Sequence, residues 1–283
     1  MKLAIVTDST CDLTADTLKQ LDIWRVPLYV HFKGETKKDW IEINPSVIVE
    51  GVREGADMPS TSQPSPQDFT DIYQQIRDTG ADQILCLTIS SGLSGTYQSA
   101  TIAAKESDTP VTVFDSRATS VGLGMMVRRA AALRDQDKPL GEIMKELERI
   151  RDKAFIRFSV DSLDFLRKNG RIGGASALLG SLLNLKPILT VVDGKVEPAG
   201  RARGNKRALK EVVDAVEAYA NSHGRPVVHF LHVLAEESAG MLRDALDKRN
   251  IRYVDAGTYQ IGAVVASHVG PGTYGLYAYP EPS

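Results

Sequence analysis

Cysteine is nearly absent. Cys11 and Cys86 are the only two in 283 residues, and their spacing fits neither a disulfide framework, a zinc pattern nor a redox pair. Cys86 lies in an apolar run and Cys11 in a loop with no base beside it, so both read as inert thiols. Histidine is also scarce. No H-E-x-x-H pattern occurs, and the odd separation of His229 and His232 on one strand puts them on opposite faces, so no metal site is expected. The chain lacks a Walker phosphate loop, a G-x-G-x-x-G after its first strand and a G-x-S-x-G elbow, which excludes the common nucleotide-binding and hydrolase signatures. It lacks an apolar run of membrane-spanning length, and Met1-Lys2-Leu3 leads directly into a strand rather than a signal peptide. The expected location is therefore cytoplasmic, without stable membrane insertion. A net charge of -2 and the absence of a helix-turn-helix pattern argue against a DNA-binding regulator, so no nucleic-acid partner is expected.

What is present is an alternation of strands and helices. Leu3–Val6, Ile84–Ile89 and Val111–Phe114 are short apolar runs that read as buried strands, with helices over 14–21, 67–79, 97–105, 122–133 and 140–153. Strand–helix–strand order implies a parallel sheet covered by helices, with ligands at the carboxyl ends of the strands. After residue 153 the pattern changes to shorter strands, with a hairpin signal at Asp193-Gly194. The length suits two domains. The expected fold is α/β, with an N-terminal parallel-sheet α/β/α domain over 1–153 and a C-terminal α/β sandwich domain over 154–283. The segment 58–66 reads as a loop because its three prolines oppose regular pairing, and 175–185 reads as an apolar helix.

The richest stretch is Ser90-Ser91-Gly92-Leu93-Ser94-Gly95-Thr96, a strand-to-helix turn dense in hydroxyls. Glycine permits the turn, and hydroxyls with helix-start N–H groups can face an anion, although Ser and Thr also serve simply as helix caps. His268 precedes the stiff turn Gly270-Pro271-Gly272, which fixes a nearby side chain; it is either structural or functional. Arg201, Arg203, Lys206 and Arg207 form a basic stretch, either a solvated face or a surface for a partner.

Taken together, Asp8-Ser9-Thr10, Thr61-Ser62-Gln63-Pro64, Ser90–Thr96, Asp115-Ser116, Gly170-Arg171-Ile172, Lys186-Pro187-Ile188 and His268-Val269-Gly270-Pro271-Gly272 resemble the DegV family, in family order and over nearly the whole chain. The resemblance implies two α/β domains with a long-chain fatty acid such as palmitate between them, no catalysis by this chain alone and no further cofactor. It implies a partner, the catalytic subunit of a fatty acid kinase, which uses ATP to make an acyl phosphate for phospholipid synthesis. By the same resemblance Thr61, Ser62, Ser94 and Gly95 hold the carboxylate and His268 lies near it. Arg171 and Arg203 face the kinase or the phosphate, with Arg201 as the alternative to Arg203.

These residue types suit the task. On the order of 14 methylenes at about 0.8 kcal/mol each give roughly 11 kcal/mol for burying a tail. The apolar 175–185 stretch reads as ordinary core or, on the resemblance, as a wall for that tail. A carboxylate leaving water costs several kcal/mol unless its lone pairs are satisfied, and hydroxyls and amides satisfy them without adding charge. The competing reading is an enzyme for a small phosphate-bearing metabolite, with Ser90–Thr96 as cradle and Arg171 as clamp.

Overall fold

The structure, a computed structural model, describes residues 2–178 and 185–281. It divides into two compact units. The first comprises Met1–Asn44, Pro59–Arg151 and Gly262–Val264; the second comprises Pro45–Met58, Asp152–Ile261 and Val265–Ser283.

The apolar runs of the first unit become a four-stranded, wholly parallel sheet in the order Ile23–Val26, Leu3–Asp8, Gln83–Thr88, Val111–Asp115. Strands buried on both faces read as continuous apolar runs, which is why Ile84, Leu85, Cys86 and Leu87 are all inaccessible. One core gathers Val6, Ile84 and Cys86 with Phe69, Tyr73 and Ile76 of the helix Pro66–Asp78 and Ala100 and Ala103 of the helix Thr96–Lys105.

A three-stranded antiparallel sheet was not anticipated. Tyr29–Phe32 is its centre, flanked by Glu35–Lys38 and Ser60–Ser62. The loop expected over 58–66 is thereby corrected, since Thr61 pairs with Val30. Pro59 and Pro64 lie just outside the three paired residues, so neither removes a ladder donor. The chain then enters the helix Pro66–Asp78 through a capping box. Ser65 accepts from the Asp68 amide, and the Asp68 carboxylate accepts from the Ser65 amide at 2.8 Å. Ser65→Ala should lower unfolding free energy by about 1 kcal/mol, measured by denaturant titration. An unchanged midpoint would show that the cap does not fix this exit.

In the second unit a six-stranded mixed sheet runs in the order Lys195–Arg203, Leu185–Val192, Phe155–Ser159, Tyr274–Pro280, Pro226–His232, Val254–Gln260. All neighbours are antiparallel except the last pair. Val228, Phe230, Leu276 and Ala278 share a face with Val212 and Val216 of the helix Asn205–His223 and Leu242 and Leu246 of the helix Glu236–Lys248. Asp193 and Gly194 both take positive φ, 47° and 75°, as a tight hairpin requires. The apolar helix expected over 175–185 is not found at its ends. Gly173–Leu178 form a short 3-10 helix and Leu185 opens a strand, while 179–184 lie outside the described residues. Among the described residues no helix is long and apolar enough to cross a membrane.

Candidate functional site

Asp8 organises the sheet edge where the hydroxyl-rich loop begins. Its carboxyl accepts from the Thr10 amide and hydroxyl at 2.9 and 2.5 Å, and from the Ile89 amide at 2.6 Å. The last of these bonds fixes the backbone one residue before Ser90. Burial lifts Asp8 to about 6, against the pull of those hydrogen bonds. The loop then winds on itself. The Leu93 and Ser94 amides donate to the Ser90 carbonyl at 3.0 and 3.1 Å, and the Gly92 amide to the Ser90 hydroxyl.

Gly95 caps the helix Thr96–Lys105 with no side-chain hydrogen bond. Its φ of -73° is open to any residue, so conformation is not why glycine stands there. A Cβ on Gly95 would overlap the Gln63 carboxamide. This close approach brings Thr61-Ser62-Gln63 and Ser94-Gly95 together, two stretches far apart in sequence. Gln63 also donates to the Ser99 hydroxyl at 3.1 Å. Thr61, Ser62, Ser94 and Gly95 are all half-buried.

The hydroxyls are not equivalent. Ser94 Oγ lies 2.9 Å from Thr96 Oγ1 and 3.3 Å from the Thr96 amide, so capping accounts for part of its position. Ser91 is committed elsewhere, its hydroxyl to Asp115 at 2.5 Å and its amide to the same carboxylate at 3.1 Å. Ser62 lies 2.9 Å from His31 Nε2, and His31 Nδ1 lies 2.8 Å from Thr36. His31 and Gln63 were missed. Gln63 sits inside a motif that already pointed to the site, whereas nothing local marks His31, which arrives only through the pairing of Tyr29–Phe32 with Ser60–Ser62.

In the second unit His268 sits one residue from the end of the helix Ala263–Val269. The turn behind it is held by Thr273, whose hydroxyl donates to the Val269 and Gly270 carbonyls at 3.0 and 2.9 Å. Gly270 takes a φ of 77°, and a Cβ there would strike the Phe165 ring. Asn169 donates to the Ser267 carbonyl at 2.9 Å, and Arg171 donates to the Asn169 carbonyl at 2.8 Å, so the Arg171 loop and the His268 helix are joined. Burial, then the Arg171 charge, lowers His268 to about 4, leaving a neutral imidazole at physiological pH. Lys186 pairs with Asp161 at 2.5 Å, and a Cβ on Gly272 would overlap that same Asp161 carboxylate, so two more motif residues converge on one aspartate.

Arg203 is not beside Arg171. Gly173, two residues after Arg171, abuts the backbone of Val196, and about 20 Å of strand separates Val196 from Arg203. Arg201 and Arg203 are both exposed on either side of buried Ala202, as strand alternation requires. His229 lies against the Tyr259 and Tyr279 rings, His232 Nδ1 accepts from the Ala235 amide, and no metal-binding cluster exists among the described residues.

A family model described as "DegV: Uncharacterised protein, DegV family" matches residues 2–281. A DegV domain-containing protein of Deinococcus radiodurans is 47% identical over 281 residues, 99% of each chain. A solved structure described as fatty acid binding of a DegV family protein from Thermus thermophilus superposes with a TM-score of 0.95 at 48% identity, covering 99% of this chain and 100% of that one. A stearic acid-binding protein from Eubacterium ventriosum superposes with a TM-score of 0.91 at 25% identity, covering 99% of this chain and 98% of that one.

Proposed function

The chain belongs to the DegV family, and on that basis we propose that it binds a long-chain fatty acid and presents the carboxylate to a separate fatty acid kinase. The observation that carries this reading is the convergence of Thr61–Gln63 with Ser94–Gly95 into one half-buried patch of neutral donors. Residues 60–65 and 90–96 contain no lysine or arginine. Hydroxyls of Thr61, Ser62 and Ser94, with the Gly95 amide, satisfy carboxylate lone pairs without a formal positive charge. The bound oxygen stays nucleophilic and can attack the terminal phosphoryl group of ATP supplied by the kinase, breaking its bond to the bridging oxygen so that ADP leaves. The acyl phosphate formed then enters phospholipid synthesis.

His268 is a neutral imidazole and serves the head group as a hydrogen-bonding partner rather than as a cation. Arg171, coupled to His268, and Arg203, about 20 Å of strand away, have separate tasks. Arg171 meets the charge added to the acid, and Arg203 meets the kinase. The chain itself performs no chemical step and requires no cofactor in this reading.

Native mass spectrometry of the purified chain tests the proposal. A co-purified long-chain fatty acid is expected, along with its conversion to acyl phosphate when kinase and ATP are added. An empty chain, or one carrying a phosphorylated metabolite, would overturn the reading in favour of an enzyme of small phosphate-bearing substrates.

A further inference from the structure

Two buried carboxyls outside the hydroxyl loops converge on three residues from late in the chain. Asp39 is wholly buried and Asp12 is 4% exposed. One Asp39 oxygen accepts from the amides of Ala263 and Val264 at 3.1 and 3.4 Å; the other accepts from the Ser9 hydroxyl at 2.8 Å. Asp12 accepts from the Gly262 amide, from the Trp40 indole at 3.1 Å and from the Ser120 hydroxyl at 2.5 Å. The fit at Gly262 is tight: a Cβ there would overlap both the Trp40 indole nitrogen and the Asp12 carboxyl. Ala263 opens the helix that runs to Val269 and carries Ser267 and His268.

We infer that Asp12 and Asp39 are positioning residues: together they fasten residues 262–264 and so fix the helix on which His268 is carried. The consequence for the fatty acid rests on the function proposed above; the fastening itself does not. A hydrophobic anchor would hold the segment in only a general way. Two carboxyls that accept from three consecutive amides hold the backbone of that segment at three adjacent points.

The fastening depends on pH. Burial raises Asp39 to about 7, and burial together with the Asp39 charge raises Asp12 to about 8. The other charged group acting on the pair is Arg25, which favours ionised Asp39; Asp8 and Cys11 stand nearby, the Cys11 thiol feeling the charges of Asp8, Asp12 and Arg25. Burial keeps the Cys11 thiol protonated. Both carboxyls therefore bind a proton more tightly when folded than when unfolded. Their contribution is complete below the unfolded carboxylate range and is lost as pH rises through about 7 to 8. Above that range two negative charges share one buried space and oppose each other.

Hydrogen exchange on the full chain, followed by mass spectrometry and corrected for the intrinsic rate, reads the 262–264 amides directly. Wild-type protection should fall at least about ten-fold between about pH 6 and about pH 9. Asp39→Asn keeps the carbonyl acceptor without the charge, so only buried Asp12 still titrates and protection should fall clearly less steeply than in wild type across that range. Asp39→Ala should lose protection throughout, and the His268 ring resonance should shift in Asp39→Ala while Asp39→Asn restores it. Wild-type protection that is indifferent to pH, or an Asp39→Asn variant that keeps the wild-type slope, would overturn the inference. If no variant, wild type included, carries a fatty acid, the functional reading fails while the exchange data still decide the fastening.

Discussion

Ser94→Ala should retain no more than about a tenth of the fatty acid carried by the wild type, whereas Ser91→Ala should retain nearly all of it. A carboxylate oxygen left without its donor loses about 1–3 kcal/mol, and 1.4 kcal/mol is about ten-fold in affinity. Ser94 is half-buried next to Gly95, where the Thr61–Gln63 stretch arrives. Ser91 is exposed and already bound to Asp115, whose negative charge disfavours a second carboxylate at that hydroxyl. Equilibrium binding of palmitate to each variant, with unfolding midpoints as a control, provides the comparison. Because Ser94 also touches the first amide of its helix, a small loss of stability is expected in that variant alone. Equal affinities for the two variants would remove Ser94 from the proposed head-group site.

The second large effect separates holding the acid from handing it over. Arg203→Ala should keep its fatty acid and yet form acyl phosphate at least about ten-fold more slowly when kinase and ATP are supplied, with the deficit growing smaller at high salt. Arg201, Arg203, Lys206 and Arg207 are exposed, and among the described residues no carboxylate pairs with any of them, in contrast to Lys186 with Asp161 and Lys210 with Asp214. Side chains standing in water hold no buried tail, so their removal cannot release one. Exposed charges at the rim of an interface act on encounter instead. Arg201→Ala serves as the paired measurement, since the two side chains flank the same buried alanine. A normal rate in Arg203→Ala, or loss of lipid from it, would remove the assigned role.

The parallel sheet of the first unit was legible because strands covered on both faces are largely apolar, as Leu3–Val6 and Ile84–Ile89 are, and the edge strand Val111–Phe114 interrupts its apolar run with only one threonine. The antiparallel sheet was not, because Glu35–Lys38 is polar and mostly exposed and Ser60–Ser62 is three hydroxyl residues between prolines. Neither stretch shows the alternation by which a half-buried strand is read. The helix Ala263–Val269 was not legible for a related reason: six of its seven residues are small or apolar and show no helical period, and glycines that signal a turn follow directly. The hydroxyls of the proposed head-group site were visible as chemistry from their density in Ser90–Thr96. Their convergence with Thr61 and Ser62 was expected from the family resemblance, but the contact that achieves it was not legible, since it depends on a side chain, Gln63, filling the space that a glycine leaves. Asp12 and Asp39 were invisible as a pair. In sequence each is an ordinary loop aspartate, and only burial and three distant amides make it otherwise.

Fastening by residues 262–264 has an evolutionary consequence. The first unit is assembled from three separate stretches of one gene, the last of them only Gly262–Val264. A single recombination point between two relatives therefore cannot exchange that unit whole. A crossover anywhere between 152 and 261 would join aspartates from one parent to amides from the other, and it succeeds only where the parent supplying the later stretch places a glycine at the first of those three positions. Inheritance of the two units is thus linked through a tripeptide. Changes at Trp40, Asp12 or Asp39 are constrained by a residue more than two hundred positions away, so these positions should drift together or not at all.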